Sequence, residues 1–200
     1  MTDAPEWARL TDQEVVLLAR SGREAAYREL IRRYERPVFA LLFRMVRDRE
    51  LAEDLSQETF VKALNAIESY RPEFKFSSWI FKIANNAAID HLRRRELDTL
   101  SLDGSPHAET PEAMQATALQ IGARQESPLE TVEARELGGA IEQAIGRLRP
   151  EYRSCILLRH VEGRPYEEIA DIMEVPLGTV KTYIHRGRKE LMQRLEHLRV

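Results

Sequence analysis

The chain has 200 residues, enough for one large domain or two small ones, and its single cysteine excludes an internal disulfide framework. Hydrophobic residues make up 43% and charged residues 32%, and neither a signal peptide nor an apolar run of membrane-spanning length is present, so we expect a soluble, helix-rich, cytoplasmic protein without membrane insertion. The formal net charge of −3 is unevenly distributed, because residues 97–134 hold seven acidic side chains and one basic side chain whereas both flanks are mildly basic.

Residues 10–96 form the first predicted unit, which is helical throughout. Thr11 and Glu14 have the spacing of a capping box, in which each side chain bonds the other's backbone at a helix N-terminus. Tyrosine and aliphatic residues recur at intervals of three and four over residues 27–42, which indicates a long amphipathic helix. Pro37 lacks a backbone donor, and it predicts a kink or break in that helix.

A second helix is predicted from about residue 50 to residue 67, with leucines on its inner side. The opposite face is mostly polar, and its members share one side because they are three or four positions apart. This face consists of Asp54, Gln57, Glu58 and Val61. An ordinary solvated surface explains the pattern without any function, and a protein-docking surface is the functional alternative.

A loop over residues 69–76 leads into a third predicted helix, which Ser77 or Ser78 caps and which reaches Arg95. Single-stranded nucleic acid is bound by aromatic rings that stack on bases and by cations that hold phosphates, and a short polar side chain can bond an unstacked base. The candidates for such binding are Tyr70, Arg71, Phe74, Lys75, Phe76, Ser77, Lys82, Asn85, Asn86 and Arg93. Packing in the core is the competing interpretation for the rings, and it is favoured for Trp79.

Residues 97–134 form an acidic segment without aromatic residues, interrupted by three prolines and two glycines. This composition cannot bury a core, so we expect a linker that is extended or disordered when free. Within it, residues 114–121 are the stretch where a short helix is conceivable. The linker divides the chain into an N-terminal unit, residues 1–96, and a C-terminal unit, residues 135–200.

The C-terminal unit is predicted to contain four helices. Apolar residues at helical spacing over residues 137–148 indicate the first of them. Pro150 ends that helix or begins the next one, which covers about residues 152–161. Residues 165–189 then have the pattern of helix, tight turn and helix, with the chain broken at residues 175–176.

The second helix of this helix-turn-helix is basic. Between Lys181 and Lys189 there are four basic residues, one histidine and no acid, which is typical of a recognition helix in the major groove of duplex DNA. Ala170 on the first helix is small enough to let the two helices cross closely. The candidate duplex-binding residues are Thr179, Lys181, Thr182, Tyr183, His185, Arg186, Arg188 and Lys189.

Three motifs, in this order, resemble those of the extracytoplasmic-function (ECF) sigma factors of bacterial RNA polymerase. They are Glu-Asp-Leu-Ser-Gln-Glu-Thr-Phe at residues 53–60, Phe-Ser-Ser-Trp-Ile-Phe-Lys-Ile-Ala-Asn-Asn at residues 76–86, and the C-terminal helix-turn-helix. The resemblance covers nearly the whole chain apart from the linker. It implies an all-α fold of two small helical domains, residues 1–96 and 135–200, joined by the flexible acidic linker of residues 97–134.

The resemblance also implies a role for each candidate surface. The face with Asp54 would bind the clamp helices in the largest subunit of core RNA polymerase, and the flap of the second-largest subunit is a further implied contact. The aromatic and basic cluster, with Asn86 behind the loop, would capture unpaired bases of the promoter −10 element. The helix-turn-helix would read the −35 element as duplex. The acidic linker would pass through basic channels of the polymerase, and an anti-sigma factor would cover both domains.

Some features depart from the family's pattern. Glu174 lies in the helix-turn-helix where many such units carry glycine, so the turn is expected to differ slightly. His185 stands where several relatives have an aromatic residue, which leaves the preferred −35 sequence open. The linker is longer and more acidic than the family leads us to expect.

We therefore predict a sigma factor that directs core polymerase to promoters and promotes DNA melting. No nucleophile–base pair, phosphate-binding glycine loop or metal-ligand cluster occurs in the sequence, so neither catalysis nor a cofactor is expected. Cys155, in an apolar run, is interpreted as a buried structural thiol.

Two other classes of protein compete with the sigma factor. One is a dimeric helix-turn-helix regulator that binds closed duplex without polymerase. The aromatic and basic loop argues against it, because a duplex-binding protein has no need of stacking platforms. The other is a protein-interaction adaptor with solvated basic faces, and the acid-free stretch Lys181–Lys189 argues against that.

Overall fold

The computed structural model describes Trp7 and residues 9–102 and 128–196, with side chains described over Trp7, 9–95 and 137–196. These ranges are all helical, as predicted, and contain no strand. The α-helices are α1 (Asp12–Arg20), α2 (Glu24–Val46), α3 (Arg49–Asn65), α4 (Phe76–Leu102), α5 (Pro128–Gly146), α6 (Pro150–His160), α7 (Tyr166–Met173) and α8 (Leu177–Arg194), with a 3-10 turn at Ile67–Ser69. We refer to α1–α4 as the N-terminal unit and to α5–α8 as the C-terminal unit.

The capping box at the start of α1 is confirmed. The Thr11 hydroxyl accepts from the Glu14 backbone N–H at 3.3 Å, and the Glu14 carboxylate accepts from the Thr11 N–H at 2.7 Å. Of the kink or break predicted at Pro37, the break does not occur, because α2 continues through the proline. Apolar residues on both sides of the proline, among them Leu30 and Leu42, are buried against the rest of the unit, and this packing outweighs the lost hydrogen bond.

The third helix is longer than the sequence indicates at both ends. It begins at Phe76, before the predicted serine cap, and continues to Leu102. No glycine or proline occurs before Gly104 to stop it. Likewise α5 begins at Pro128, which fits the first turn of a helix, so the predicted extended linker is helical at its two ends. The short helix considered at residues 114–121 lies outside the described residues.

The four predicted helices of the C-terminal unit are all present, and Pro150 begins α6 rather than ending α5. The helix-turn-helix consists of α7 and α8. Helices α6 and α8 approach each other closely at Gly187. A Cβ atom at Gly187 would lie 3.0 Å from Cγ1 of Ile156, so the absence of a side chain lets α8 pack directly on α6.

The two units pack against each other and share one continuous cluster of buried side chains. Helix α7 lies on α4, and α6 lies on both α2 and α4. The buried guanidinium of Arg153, on α6, donates to the backbone oxygens of Met45, Gly146 and Leu148. Arg153 thereby satisfies a carbonyl at the C-terminus of α2, whose last carbonyls have no partner within the helix.

Candidate nucleic-acid interface

The predicted docking face of α3 is exposed along its whole length. Asp54, Gln57, Glu58 and Val61 are all exposed, and Val61 has 57% of its surface open to solvent. Glu58 forms an ion pair with Lys62 at 2.7 Å. The opposite side of the helix is buried, so α3 presents a polar surface with one large apolar side chain in it, which is an arrangement that a protein partner can bind.

The basic face of α8 is also open. Lys181, Thr182, His185, Arg186, Arg188 and Lys189 are exposed, whereas Thr179 and Tyr183 are half-buried. Val180, Ile184 and Gly187 on the inner side are buried. Helical spacing therefore separates the polar face from the core, and the predicted duplex-binding residues lie together on the solvent side.

Two side chains of this face are oriented by neighbours on α6. An Nη1 of Arg186 lies 3.4 Å from the hydroxyl of Tyr152, and the Tyr152 ring packs against that of Tyr183 at 5.4 Å between centroids. Arg188 donates to Nε2 of His160. Burial lowers the pKa of His160, and the charge of Arg188 lowers it further, so the imidazole is neutral and can accept this bond.

The predicted single-strand residues are not equally placed. The rings of Tyr70 and Phe76 are buried in the N-terminal unit, where they pack against Tyr34 and Trp79. The Tyr70 hydroxyl donates to the Phe74 carbonyl at 2.6 Å. In this arrangement neither Tyr70 nor Phe76 can stack on a base, and both support the loop from beneath. Trp79 is half-buried in the same cluster, in line with the interior position predicted for it.

Phe74 and Arg71 are exposed, and Phe74 has 50% of its surface open to solvent. They border a cavity of about 610 Å³ that lies between the loop and the turn of the helix-turn-helix. The cavity is lined by Ser69, Tyr70, Arg71, Phe74, Ser78, Trp79, Lys82, Ala170, Asp171, Glu174, Val175 and Pro176. The aromatic and basic residues of the loop therefore face the C-terminal unit across an open space.

The remaining single-strand candidates contact the C-terminal unit directly. Lys75 forms an ion pair with Glu168, and Arg164 donates to the Ser77 hydroxyl at 2.8 Å and to Glu168 at 3.2 Å. The guanidinium carbon of Arg164 also lies 4.7 Å from the centre of the Phe81 ring. Arg164 and Glu168 together thus cover the beginning of α4.

Further along α4, the Lys82 amine pairs with the Glu174 carboxylate at 2.8 Å. The exposed side chain of Asn86 also contributes to the lowered pKa of Glu174. Asn85 is fully buried between the units. Its amide oxygen accepts from the Ser154 hydroxyl and its NH2 group contacts the Met173 sulfur at 3.3 Å.

At the far end of this surface, Arg93 pairs with Glu151 at 2.8 Å. Five of the ten single-strand candidates (Lys75, Ser77, Lys82, Asn85 and Arg93) are therefore bonded to the C-terminal unit.

The carboxylates of this interface are held in their charged form. Burial by itself raises the pKa of Glu151 and of Glu168, but the hydrogen bonds and charges of their basic partners outweigh it and leave both pKa values below the usual range. The hydrogen bond from Lys82 is the main cause that lowers the pKa of Glu174. The contacts therefore neutralise the cations of α4 at neutral pH.

Glu151, Arg153, Arg164 and Glu168 do not appear among the residues singled out from the sequence. Each contacts a group that is distant along the chain, so periodicity carries no signal for it. The sequence feature that pointed to these contacts is Glu174, an acidic residue at the turn position where many helix-turn-helix units carry glycine. Cys155 is buried as predicted, and burial raises the pKa of its thiol to about 12, so the thiol is protonated and unreactive.

Within the described ranges, no group of three potential ligands among His, Cys, Asp and Glu is arranged to hold a metal ion. None of the helices in that part of the chain combines the length and the apolar character that a membrane span requires.

Comparison with known proteins matches both units to parts of one family. Residues 30–97 match the family model of sigma-70 region 2, and residues 138–191 match that of sigma-70 region 4. The chain is 34% identical over 179 residues to the ECF RNA polymerase sigma factor SigW of Bacillus subtilis, covering 90% of the chain and 94% of the relative. It is 31% identical over 193 residues to the ECF RNA polymerase sigma-E factor of Escherichia coli, covering 95% of the chain and 97% of the relative.

Two solved structures have a similar fold. The sigma factor RpoE, in complex with the anti-sigma factor NepR from Bartonella quintana, matches with a TM-score of 0.63 at 22% identity, over 85% of this chain and 96% of that chain. CnrH, in complex with the cytosolic domain of CnrY, matches with a TM-score of 0.64 at 21% identity, over 93% of this chain and 97% of that chain.

Proposed function

This chain belongs to the ECF family of RNA polymerase sigma factors, and from that premise we propose how its surfaces divide the work of transcription initiation. The exposed face of α3, with Asp54, Gln57, Glu58 and Val61, binds the clamp helices of the largest polymerase subunit. The C-terminal unit binds the flap of the second-largest subunit. Because its partner is the polymerase, the chain acts in the cytoplasm, and synthesis of RNA belongs to that partner rather than to this chain.

The basic face of α8 reads the −35 element as duplex. Its members are Thr179, Lys181, Thr182, Tyr183, His185, Arg186, Arg188 and Lys189. The observation that carries the proposal is that six of them are exposed within the stretch Lys181–Lys189, which contains no acid. Lysine and arginine there supply phosphate contacts and bidentate contacts to guanine.

The α4 surface and its loop capture the −10 element as a single strand. Arg71, Phe74 and Asn86 are exposed already. Lys75, Ser77, Lys82, Asn85 and Arg93 are released from their partners when the C-terminal unit moves away, with Tyr70 and Phe76 packed beneath. Unstacking promoter bases costs a few kcal/mol per step, and binding of the separated strand offsets that cost. The acidic linker occupies basic channels of the polymerase.

An anti-sigma factor is the proposed regulator. Both structural neighbours are sigma factors in complexes, one with the anti-sigma factor NepR and one with the cytosolic domain of CnrY. A partner that binds both units would cover the α3, α4 and α8 surfaces together. In the described part of the chain the basic face of α8 is exposed, so such a partner would have access to it.

Charge reversal at Asp54 tests the proposal. Asp54→Lys places a cation in the docking face, so we expect affinity for purified core polymerase to fall by tenfold or more, with run-off transcription falling in parallel. Glu35→Lys is the matched control, because Glu35 is an exposed carboxylate on α2, outside the proposed docking face. Equal polymerase affinity for the two variants would remove the docking assignment. Binding of promoter duplex as a dimer, without polymerase, would instead identify a conventional regulator.

A further inference from the structure

We propose that His160 is a positioning residue for duplex binding, which holds the guanidinium of Arg188 beside α8 for contact with a DNA phosphate. The proposal rests on the −35 role assigned to α8 above and adds to it a residue that lies outside that helix. His160 is the last residue of α6. Its ring meets Arg188 although the two residues are 28 positions apart along the chain.

The position of Arg188 follows from the way α8 crosses α6. Gly187 is buried at the crossing, where an added Cβ atom would lie 3.0 Å from Cγ1 of Ile156. Arg186 and Arg188 flank this glycine. Successive residues of a helix are about 100° apart around its axis, so the two arginines leave α8 on opposite sides of the crossing.

One side of α6 receives both arginines. Tyr152, Ile156 and His160 are four residues apart, so they share that side. An Nη1 of Arg186 lies 3.4 Å from the Tyr152 hydroxyl, one turn before Ile156, and Arg188 contacts His160 one turn after it. The two contacts are about 12 Å apart along α6, so each arginine is held at a place of its own.

The contact with His160 uses one edge of the guanidinium. The Nε atom of Arg188 lies 3.3 Å from Nε2 of His160, and its Nη2 atom lies 3.1 Å from the same nitrogen. The planar group therefore turns its other edge, with Nη1, away from the ring. Arg188 is exposed, so this second edge is open to solvent and has the forked geometry that binds a phosphate with two hydrogen bonds.

An uncharged partner suits an arginine that binds DNA. Partial burial lowers the pKa of His160, and the charges of Arg188 and Arg159 lower it further, so the ring accepts as neutral imidazole. It orients Arg188 without neutralising its charge, whereas a carboxylate would compete with the phosphate. Arg194, on the same helix, has a partner of the second kind, because Glu190 lies 3.7 Å from its guanidinium.

The place of Arg188 in α8 favours a phosphate over a base. The N-terminal residues of a recognition helix contact base edges in the major groove, whereas Arg188 lies in the second half of Leu177–Arg194, next to the buried Gly187. Ordering a long side chain on binding weakens affinity. An arginine that is already ordered avoids this loss, so His160 increases affinity without touching the DNA.

Three substitutions of His160 in the full chain test the proposal, each with Arg188 present and with Arg188→Ala. His160→Gln keeps a neutral acceptor, His160→Ala removes it and His160→Glu replaces it with a charged one. Affinity for a fluorescent, mixed-sequence duplex of about 30 base pairs is measured by anisotropy over a range of salt concentrations, because a phosphate contact does not depend on sequence. Tyr152→Phe is the matched control, since it removes the contact to Arg186 and leaves that to Arg188.

We expect His160→Ala to weaken duplex binding about threefold with an unchanged salt slope, since Arg188 still reaches the phosphate but must be ordered on binding. His160→Gln should keep the wild-type affinity. Both His160→Glu and Arg188→Ala should reduce the slope of log K against log salt by about 0.9, because each removes one phosphate contact. Once Arg188→Ala is present, His160→Ala should have no further effect, whereas Tyr152→Phe should act equally in both backgrounds.

Equal affinities of wild type and His160→Ala would overturn the proposal. So would an equal loss from His160→Ala with and without Arg188, because the histidine would then act on the fold, and so would a loss in His160→Gln as large as in His160→Ala. Run-off transcription by the wild-type chain with core polymerase is measured on the same preparation. Its absence counts against the proposed function, whereas intact transcription together with one of these outcomes removes only the role of His160.

Discussion

At the scale of single residues, Glu174 and Arg186 give specific predictions, the first for stability and the second for DNA binding. Glu174 is one of two residues other than glycine with a positive φ in the described ranges, the second being Arg47. The backbone N–H of Val175 bonds to the carbonyl of Ala170 at the end of α7, so the turn needs a residue in the left-handed region at position 174. Glu174 therefore has a side chain at a position where the left-handed backbone conformation is strained for residues other than glycine.

The strain at Glu174 predicts a difference between two substitutions that both remove the carboxylate. Glu174→Gly relieves the left-handed conformation and Glu174→Ala does not, so we expect the glycine variant to be more stable by about 1 kcal/mol. Chemical denaturation of both variants measures the difference in free energy of unfolding. An alanine variant as stable as the glycine variant would show that the turn relaxes to another conformation.

Arg186 is exposed and makes one long contact, to the Tyr152 hydroxyl. We expect Arg186→Ala to leave stability within about 0.5 kcal/mol of wild type and to weaken −35 duplex binding by the holoenzyme by about tenfold or more, since a specific arginine contact contributes about 1–3 kcal/mol. Arg194→Ala is the control, because Arg194 lies in the last turn of α8 and pairs with Glu190. A −35 footprint equal to that of wild type would contradict the assignment of Arg186.

At the scale of elements, α1 and α2 are joined by a network of charged groups. Glu29 is 5% exposed, and it accepts hydrogen bonds from Arg32 at 2.7 and 2.8 Å and from Arg33 at 2.7 Å. Arg33 also pairs with Asp12 on α1 at 2.7 Å. The hydrogen bond from Arg32 is the leading cause that lowers the pKa of Glu29 to about 2.

Glu29→Gln removes the charge at the centre of this network. We expect the free energy of unfolding at neutral pH to fall by about 2 kcal/mol. This is less than the free energy that corresponds to the whole pKa shift, because Arg32 is largely exposed and solvent weakens its interaction with Glu29. Because the pKa is lowered on folding, this stabilisation is present above pH 4.5 and disappears as the pH falls toward 2. Glu24→Gln, which breaks an exposed pair on the same helix, should cost no more than about 0.5 kcal/mol.

At the scale of the whole molecule, the closed arrangement, in which the C-terminal unit packs on α4, depends on the ionisation of acids. Glu151 faces Arg93 and Arg149, Glu168 faces Lys75 and Arg164, and Glu174 faces Lys82. All three carboxyl groups have a lowered pKa in the folded chain. Their contribution to closure is therefore complete above pH 4.5 and is lost as the pH falls through the lowered values.

We expect the radius of gyration of the free chain to increase as the pH falls below about 4.5, before the N-terminal unit unfolds, because the pKa of Glu29 is lower still. Small-angle scattering with circular dichroism on the same samples separates domain opening from loss of helix. The triple variant Glu151→Gln/Glu168→Gln/Glu174→Gln, which lacks the three interface charges, should already be expanded at neutral pH. Closure that persists in acid until helix is lost would show that apolar packing alone joins the units.

Much of the local structure was predictable because it depends on neighbours in the chain. The capping box at Thr11, the helix-turn-helix at residues 165–189 and the acid-free face of α8 all follow from spacings of three or four residues, which place side chains on one side of a helix. A break, one of the two outcomes predicted at Pro37, does not occur because tertiary packing of α2 outweighs a local preference. The preference of serine for the cap position predicts that α4 starts at residue 78 or 79, which is two or three residues too late.

The sequence by itself determined the helical units, the family and the composition of the three surfaces. Only the tertiary structure decided that Tyr70 and Phe76 lie beneath the surface rather than on it, and that the α4 cations meet acids of the other unit. Lys75 and Glu168 are 93 residues apart along the chain. Helical periodicity relates residues within a few turns of each other, whereas a pair so far apart is set by how whole helices pack, which no local pattern encodes.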